Sequence, residues 1–248
     1  MRMIVLFTDF GANDIYTAQV EGRLHAIAPR HPVIVTALHS VPDFEPRSAA
    51  HLLAALHRQF ATETVFLAVV DPGVGSNRGA VVMQADEQWF VGPDNGLLSV
   101  IGARAERAAY WRIRIPDEGI SASFHGRDLF APIAAQIATG VLSPSVLDSV
   151  ERLDVALGAD DLAEVIFVDH FGNAITGLRA AEIPHHCGID VAGRRVPWAR
   201  VFSDIERGAP CWYENSLGLV EIAVNCGRAS DELGLAPGHA IRLIDGPD

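Results

Sequence analysis

The sequence predicts an α/β domain with a mostly parallel sheet, followed by a smaller, barrel-like all-β domain. Three observations lead to this prediction. In residues 1–155, short apolar runs alternate with helical patterns, which is the element order of a parallel sheet. Residues 163–248 instead contain short apolar runs separated by turn residues. Residues 143–163 between them are polar and irregular, so we interpret them as a linker.

Hydrophobic periodicity assigns the individual elements. In the first domain we expect strands at residues 4–7, 33–37 and 65–70, helices at 16–27, 47–60 and 129–139, and a hairpin of residues 80–84 and 88–91. The run at 65–70 is continuously apolar, which is typical of a strand buried on both faces. In the second domain we expect strands at 165–168, 174–178, 188–191, 219–224 and 240–244.

The composition is that of a soluble globular protein and excludes several partners. The chain has 248 residues, of which 49% are hydrophobic, and its net charge is −12. This sign argues against binding to nucleic acid or to anionic lipid, but it is compatible with a small cationic substrate. No segment is long and apolar enough to predict a membrane span, and the run at residues 3–7 is too short for a signal peptide.

The cysteines favour a reducing compartment. Cys187, Cys211 and Cys226 are odd in number and form no Cys-x-x-Cys pair, so a disulfide framework is not expected and a cytoplasmic location is predicted. His185-His186-Cys187 could suggest zinc. However, neighbouring residues of a strand point to opposite faces, and no second ligand pair follows at zinc spacing. We therefore predict no metal site.

Two aspartates follow predicted parallel strands of the first domain. Asp9 comes after the first strand, and Asp71 comes after the third and opens the glycine-rich stretch Pro72-Gly73-Val74-Gly75. Ligands of open α/β sheets bind outside the carboxyl ends of the strands, so both carboxylates are expected at one rim. Asp9 could accept hydrogen bonds from a pair of hydroxyls, as in a ribose. An aspartate in this position can also serve only as a turn or helix cap.

A third candidate segment precedes the last helix of the first domain. His125 lies in the stretch Phe124-His125-Gly126-Arg127-Asp128, where its side chain could point into a cleft. A lone histidine is more often structural, but the polar neighbours of His125 favour a functional role.

Six motifs occur in a fixed order along nearly the whole chain: Thr8-Asp9-Phe10-Gly11; Asp71-Pro72-Gly73-Val74-Gly75 with Arg78; Gly92-Pro93-Asp94-Asn95-Gly96; Phe124-His125-Gly126-Arg127-Asp128 with Ala131-Pro132; Phe171-Gly172-Asn173; and Asn215-Ser216 with Gly218. Together they make the chain similar to the S-adenosyl-L-methionine hydroxide adenosyltransferases, which are relatives of the fluorinase and chlorinase that use the same substrate.

This resemblance implies a reaction and a catalytic triad. The family cleaves S-adenosyl-L-methionine to adenosine and L-methionine by attack of water or hydroxide on ribose C5′, a nucleophilic substitution, and it needs no cofactor. Its catalytic aspartate, arginine and histidine correspond to Asp71, Arg78 and His125. Asp71 or His125 could orient the water and accept its proton, whereas Arg78 could hold the carboxylate or stabilise the developing charge.

The resemblance also implies how the substrate is held. The ribose-binding aspartate corresponds to Asp9, the methionine-binding residues to Asp169 and Ser216, and the residue on the adenosine side to Asn173. Adenine would lie near Val224-Asn225-Cys226. In relatives the site lies between the N-terminal domain of one subunit and the C-terminal domain of another, so a homotrimer is implied.

Two departures from the halogenase branch favour hydroxide over halide: Asp71 stands where that branch has a tyrosine, and the strand pair after Arg78 is short. Leu217 stands where an arginine follows the serine in that branch, so recognition of the methionine carboxylate is expected to differ. The alternatives are a chlorinase acting on the same substrate and a non-catalytic module that binds S-adenosyl-L-methionine or adenosine. A metal-dependent hydrolase is a more distant alternative.

Overall fold

The computed structural model describes residues 2–29, 33–116, 118–191 and 193–245. Within these ranges the chain divides into two compact units, one of the described residues up to 54 and from 60 to 159, and one of residues 55–59 and the described residues from 160 to 245. The division after residue 159 falls inside the predicted linker. The earlier part of that linker is not a connecting segment, because residues 147–150 form an edge strand of the first sheet. Two of its four residues are polar and exposed and the other two are only partly buried, so the strand has no clear hydrophobic signal.

The first unit contains seven strands and four α-helices in the part of the chain that the structure describes. In chain order they are β1 (Ile4–Thr8), α1 (Ile15–Ile27), β2 (Ile34–Leu38), α2 (Pro46–Leu56), β3 (Val65–Val69), β4 (Ala80–Ala85), β5 (Gln88–Pro93), α3 (Ser99–Arg104), β6 (Ala108–Ile113), α4 (Ala131–Thr139) and β7 (Leu147–Val150). A π-helical turn, Gly126–Phe130, leads into α4. The last two residues of α2 and the 3-10 turn that follows them, His57–Gln59, are grouped with the second unit.

The sheet is mixed, and the prediction of a mostly parallel sheet is wrong. The strand order is β2-β1-β3-β5-β4-β6-β7. Three pairings among the described strands are parallel and involve β1, β2, β3 and β5. The other three are antiparallel. For β4 and β5 the physical reason is their two-residue connection, Asp86-Glu87, which is too short for the crossover that parallel strands require.

The parallel half of the sheet supplies the core. All five residues of β1 and of β3 are buried. Helices α1 and α4 cover this part of the sheet, and they bury Val20 and Leu24 of α1 against Ile133 and Ile137 of α4 in one apolar cluster. The continuous apolar runs that predicted β1 and β3 therefore correspond to strands with no solvent-exposed face.

The second unit contains two antiparallel sheets. Its elements are β8 (Leu162–Val168), β9 (Ala174–Arg179), β10 (Gly188–Val191), β11 (Arg194–Val196), β12 (Pro210–Glu214), β13 (Leu219–Val224), the short helix α5 (Ala229–Glu232) and β14 (Arg242–Ile244). One sheet has the order β12-β13-β9-β8 and the other β11-β10-β14. Trp212 of β12 is fully buried in the apolar core of this unit, and its indole N–H donates to the carbonyl of Cys187. Closure of these sheets into a barrel stays a prediction.

Among the described residues, none of the helices combines the length and the apolar character needed to cross a membrane.

Candidate functional site

A cleft opens in the first unit at the carboxyl ends of β1 and β3. Its volume is about 450 Å³. Three predicted site residues, Asp9, Asp71 and His125, line this cleft. Asp9 and Asp71 reach it because they lie one and two residues after two neighbouring parallel strands, which end at the same edge of the sheet.

The loop from Asp71 to Gly79 folds back on itself, and so brings Arg78 to Asp71. The amide of Val74 donates to the carbonyl of Asp71, and the hydroxyl of Ser76 donates to the carbonyl of Gly73 at 2.7 Å. Gly75 has a φ of +78°, and a Cβ there would lie 2.5 Å from the carbonyl oxygen of Ala122. Only glycine fits this position, because the backbone is left-handed and a neighbouring chain approaches closely.

Asp71 and Arg78 form a buried ion pair. The Arg78 Nε lies 3.0 Å from both carboxylate oxygens of Asp71, and Nη2 makes a further hydrogen bond to Oδ2. The two side chains are only 5% and 9% exposed, respectively. Such a fork geometry, shielded from water, holds the carboxylate in one orientation.

His125 extends this pair into a chain of three side chains. The Arg78 Nη2 lies 2.9 Å from Nδ1 of His125, which is buried. Because a guanidinium only donates hydrogen bonds, Nδ1 must accept, and the neutral imidazole then carries its proton on Nε2. Burial, followed by the charge of Arg78, lowers the pKa of His125 below its ordinary value, which supports the neutral form.

Asp9 also lines the cleft. Its Oδ2 accepts a hydrogen bond from the amide of Phe44 at 3.3 Å. Burial raises the pKa of Asp9, and the nearby carboxylates of Asp43 and Asp71 contribute in the same direction. Phe44 has a φ of +62°, an unusual backbone conformation for an aromatic residue, and the residue is 70% exposed.

Aromatic side chains form much of the remaining wall. The rings of Phe10, Tyr16 and Phe124 contact one another edge-on or tilted, with centroids 5.3–6.3 Å apart. The sequence reasoning named the motifs that contain Phe10 and Phe124 but assigned these rings no role, and it missed Tyr16 and Phe44 altogether. A helical pattern explains Tyr16 equally well, and nothing in the sequence around Phe44 signals a cleft.

The predicted binding residues of the second unit fall into three places. Asp169 and Asn173 form one pair: the Asn173 amide donates to Asp169 Oδ1 at 2.8 Å, and its side-chain nitrogen lies 3.2 Å from Oδ2. Asn225 donates from its side chain to the carbonyl of Ile205 at 2.9 Å. Cys226 is exposed and has a φ of +58°.

Ser216 lies in a tight turn that a buried carboxylate supports. It lines a cleft together with His185, Trp198, Arg200, Glu214 and Asn215. Asn215 Oδ1 accepts from the amides of Leu217 and Leu219, and its nitrogen donates to Glu221 at 2.9 Å. Burial raises the pKa of Tyr213, whose hydroxyl also donates to Glu221.

His186 and Cys187 do not lie on a strand, as the argument against zinc from the sequence had assumed. These residues lie in a turn rather than on a strand, so their donor atoms come within 4.8 Å of each other and of Asp245. However, the Cys187 thiol donates to the Asp245 carboxylate at 3.2 Å, which raises the pKa of the thiol. The positive charge of Arg195 acts in the opposite direction on the pKa of this thiol. The absence of a metal stays a prediction.

Comparison with known proteins identifies the class. The model of the SAM hydroxide adenosyltransferase N-terminal domain matches residues 4–148, and that of the C-terminal domain matches residues 163–242. The chain therefore belongs to the SAM hydroxide adenosyltransferase family, as the six motifs indicated.

Individual relatives are similar over nearly the whole chain. The (R)-S-adenosyl-L-methionine hydrolase of Thermus thermophilus is 39% identical over 98% of this chain and 100% of its own length. The enzyme of the same name from Salinispora arenicola is 38% identical over 96% of both chains. A crystal structure of an uncharacterized conserved protein from Thermotoga maritima aligns with a TM-score of 0.87 and 32% identity, over 98% of this chain and 100% of that one.

Proposed function

We propose that this protein cleaves S-adenosyl-L-methionine to adenosine and L-methionine. Water attacks ribose C5′, the C5′–S bond breaks with its electron pair going to sulfur, and one proton is released to solvent. The observation that carries the proposal is the buried chain Asp71–Arg78–His125 at the wall of a cleft, in a member of this family.

The leaving group places little demand on the protein. A sulfonium leaves as a neutral thioether, so it needs no general acid. The catalytic task is to hold a water in line with the C5′–S bond and to accept its proton as the bond forms.

The hydrogen bonds of the triad favour a division of roles. Nδ1 of His125 is occupied by Arg78 and Nε2 carries the proton, so the neutral ring is a donor rather than a base. Asp71 retains a lone pair on Oδ1, because Oδ1 accepts only from Nε of Arg78 whereas Oδ2 accepts from both Nε and Nη2. In the proposal, Asp71 therefore accepts the water's proton and His125 donates a hydrogen bond to the water oxygen. Arg78 holds the side chains of Asp71 and His125 in this orientation.

The charge and shape of the cleft suit a cationic nucleoside. Asp9, Asp14 and Asp43 line it together with Asp71 and His125, and the net charge of the protein is −12. Carboxylates and aromatic faces both attract a sulfonium cation. In the proposal, Asp9 accepts hydrogen bonds from the ribose hydroxyls, Asp169 and Ser216 bind the methionine part, and Asn173, Asn225 and Cys226 bind the adenosine side.

The first experiment follows oxygen from water. Purified protein is incubated with S-adenosyl-L-methionine in ¹⁸O-labelled water, and adenosine is analysed by mass spectrometry. Label in the 5′-hydroxyl is expected. Unlabelled adenosine, or no adenosine at all, would contradict the proposal.

A second experiment tests the role of Asp71. Asp71→Asn is expected to lose about 10²–10⁴-fold in kcat while keeping its affinity for adenosine, because positioned proton transfer contributes on this scale. Asp148→Asn is a matched control, since Asp148 belongs to an exposed ion pair with Arg114. An equal loss of rate and of affinity in Asp71→Asn would refute the assigned role.

Two alternatives have distinct products. A chlorinase would form 5′-chloro-5′-deoxyadenosine at high chloride, and Asp71 at the tyrosine position argues against it. A non-catalytic module would bind adenosine tightly without turnover. Three expectations stay predictions: the homotrimer with sites between subunits, the cytoplasmic location and the independence from any cofactor. Sedimentation tests the homotrimer, and an activity assay in the presence of a chelator tests the independence from a metal cofactor.

A further inference from the structure

One motif has no part in the proposed reaction: Gly92-Pro93-Asp94-Asn95-Gly96, which ends β5 and forms the following turn. Strand β5 pairs in parallel with β3, so this turn lies beside the point where β3 leads into Asp71. The motif is therefore next to the triad without contributing a side chain to it.

The turn contacts both ends of the loop that carries Asp71 and Arg78. The side-chain nitrogen of Asn95 donates to the carbonyl of Val70 at 2.8 Å, immediately before Asp71. The backbone amide of Asp94 donates to the carbonyl of Gly79 at 2.9 Å, immediately after Arg78. Two adjacent residues thus hold the two peptide groups that flank the catalytic loop.

The turn itself is firmly anchored. Asn95 Oδ1 accepts from the amide of Leu97 at 3.3 Å. The carboxylate of Asp94 is buried and accepts from the amides of Asp154 and Val155, at 2.9 and 3.4 Å. A side chain in position 95 must therefore donate to one carbonyl and accept from one amide, and an asparagine does both.

We propose that Asn95 is a positioning residue, which sets the placement of the Asp71 carboxylate by holding the Val70 carbonyl. This inference rests on the role assigned to Asp71 above. Displacement of a reacting group by about 1 Å can cost on the order of 10²-fold in rate. Loss of this single hydrogen bond therefore lowers the rate of the reaction, although Asn95 does not line the cleft.

The test uses Asn95→Asp, which keeps size and the acceptor but places an oxygen against the Val70 carbonyl, and Asn95→Ser, which is too short to reach it. For both variants kcat is expected to fall by about 10–100-fold. The dissociation constant for adenosine, measured by calorimetry, is expected to change less than about two-fold, because the ribose site at Asp9 is not displaced.

The matched control is Gln88→Glu at the opposite end of β5. The Gln88 side chain donates to the carbonyls of Phe60 and Ala61, both at 3.1 Å, and so loses the same kind of hydrogen bond. Gln88→Glu is expected to lower the melting temperature as Asn95→Asp does, but to keep the wild-type kcat. Equal kcat values for the two variants would mean that Asn95 has only a structural role.

A double variant separates the two proposals. In an Asp71→Asn background, Asn95→Asp is expected to change the residual rate less than about two-fold, because the residue through which it acts is gone. A full further loss would overturn the positioning role. If Asp71→Asn alone keeps the wild-type rate, the proposed function of Asp71 fails. If Asp71→Asn is inactive and Asn95→Asp is not impaired, only the inference about Asn95 fails.

Discussion

Replacing Arg78 by methionine isolates the energy of the buried ion pair. The substitution keeps the length of the aliphatic chain but removes three hydrogen bonds to Asp71 and the positive charge beside a carboxylate that is 5% exposed. Removing one partner of a buried pair leaves an uncompensated charge, which costs about 3–5 kcal/mol. For a protein of this size, that corresponds to a decrease of roughly 6–20 °C in melting temperature.

The protein contains an exposed pair of the same chemistry as a control. Arg112 donates to both carboxylate oxygens of Asp154 at 2.9 and 2.8 Å, but the two side chains are 47% and 56% exposed. Because water and salt screen this pair, Arg112→Met is expected to cost only about 0–1 kcal/mol. Thermal unfolding of both variants at one protein concentration, followed by circular dichroism, gives the comparison.

A third variant identifies the cause of the loss. Asp71→Asn combined with Arg78→Met removes the buried charge as well as its partner, and it is expected to regain part of the stability lost in Arg78→Met. Similar losses for Arg78→Met and Arg112→Met, or no recovery in the double variant, would refute the reasoning that burial makes this pair strong.

Three further predictions concern protonation, packing and thiol chemistry. Burial lowers the pKa of His125, so on acidification the unfolded chain takes up a proton at this residue before the folded protein does. The free energy of unfolding should therefore fall as the pH drops below about 6.5. In denaturant titrations, His125→Asn should make this pH dependence shallower. Gly92→Ala should lower the free energy of unfolding by on the order of 3 kcal/mol, because a Cβ there would lie 2.2 Å from a backbone oxygen of β3. Gly22→Ala, on an open face of α1, should instead raise it by about 0.5–1 kcal/mol. Equal melting temperatures for the two variants would contradict both expectations. Alkylation at pH 8 followed by peptide mapping should label exposed Cys226 first and buried Cys211 last, since burial raises the pKa of Cys211 to about 11; the reverse order would exclude this burial.

The elements that were predicted well are those with an unambiguous hydrophobic signal. Strand β3 is buried in full, and helix α1 ends before Pro29, so both could be placed within a residue or two. Strand β6 was missed because its first two residues are exposed and its pattern is weak. Strand β7 was assigned to a linker for the same reason. Strands that are only partly buried need no continuous apolar run, so periodicity identifies them poorly.

Prediction of the site followed a similar division. Asp9 and Asp71 could be placed at one rim because strand order determines where the carboxyl ends lie. The contact of Arg78 with His125 joins residues 47 positions apart, and only the family resemblance suggested it. The roles of Tyr16 and Phe44 in the cleft wall could not be predicted, because an exposed aromatic residue carries no signal of what faces it.

The sequence by itself determined the family, the two-domain order, the acidic charge and the identity of the chemical groups, since these depend on residue types and local spacing. Tertiary structure alone decided the direction of three strand pairings, the burial of the Asp71–Arg78 pair, the lowered pKa of His125 and the contacts of the turn at Asn95 with the two ends of the loop at residues 71–79. Each of these depends on which distant segments exclude water from a group or supply its hydrogen-bond partner. That information is created only when the chain folds.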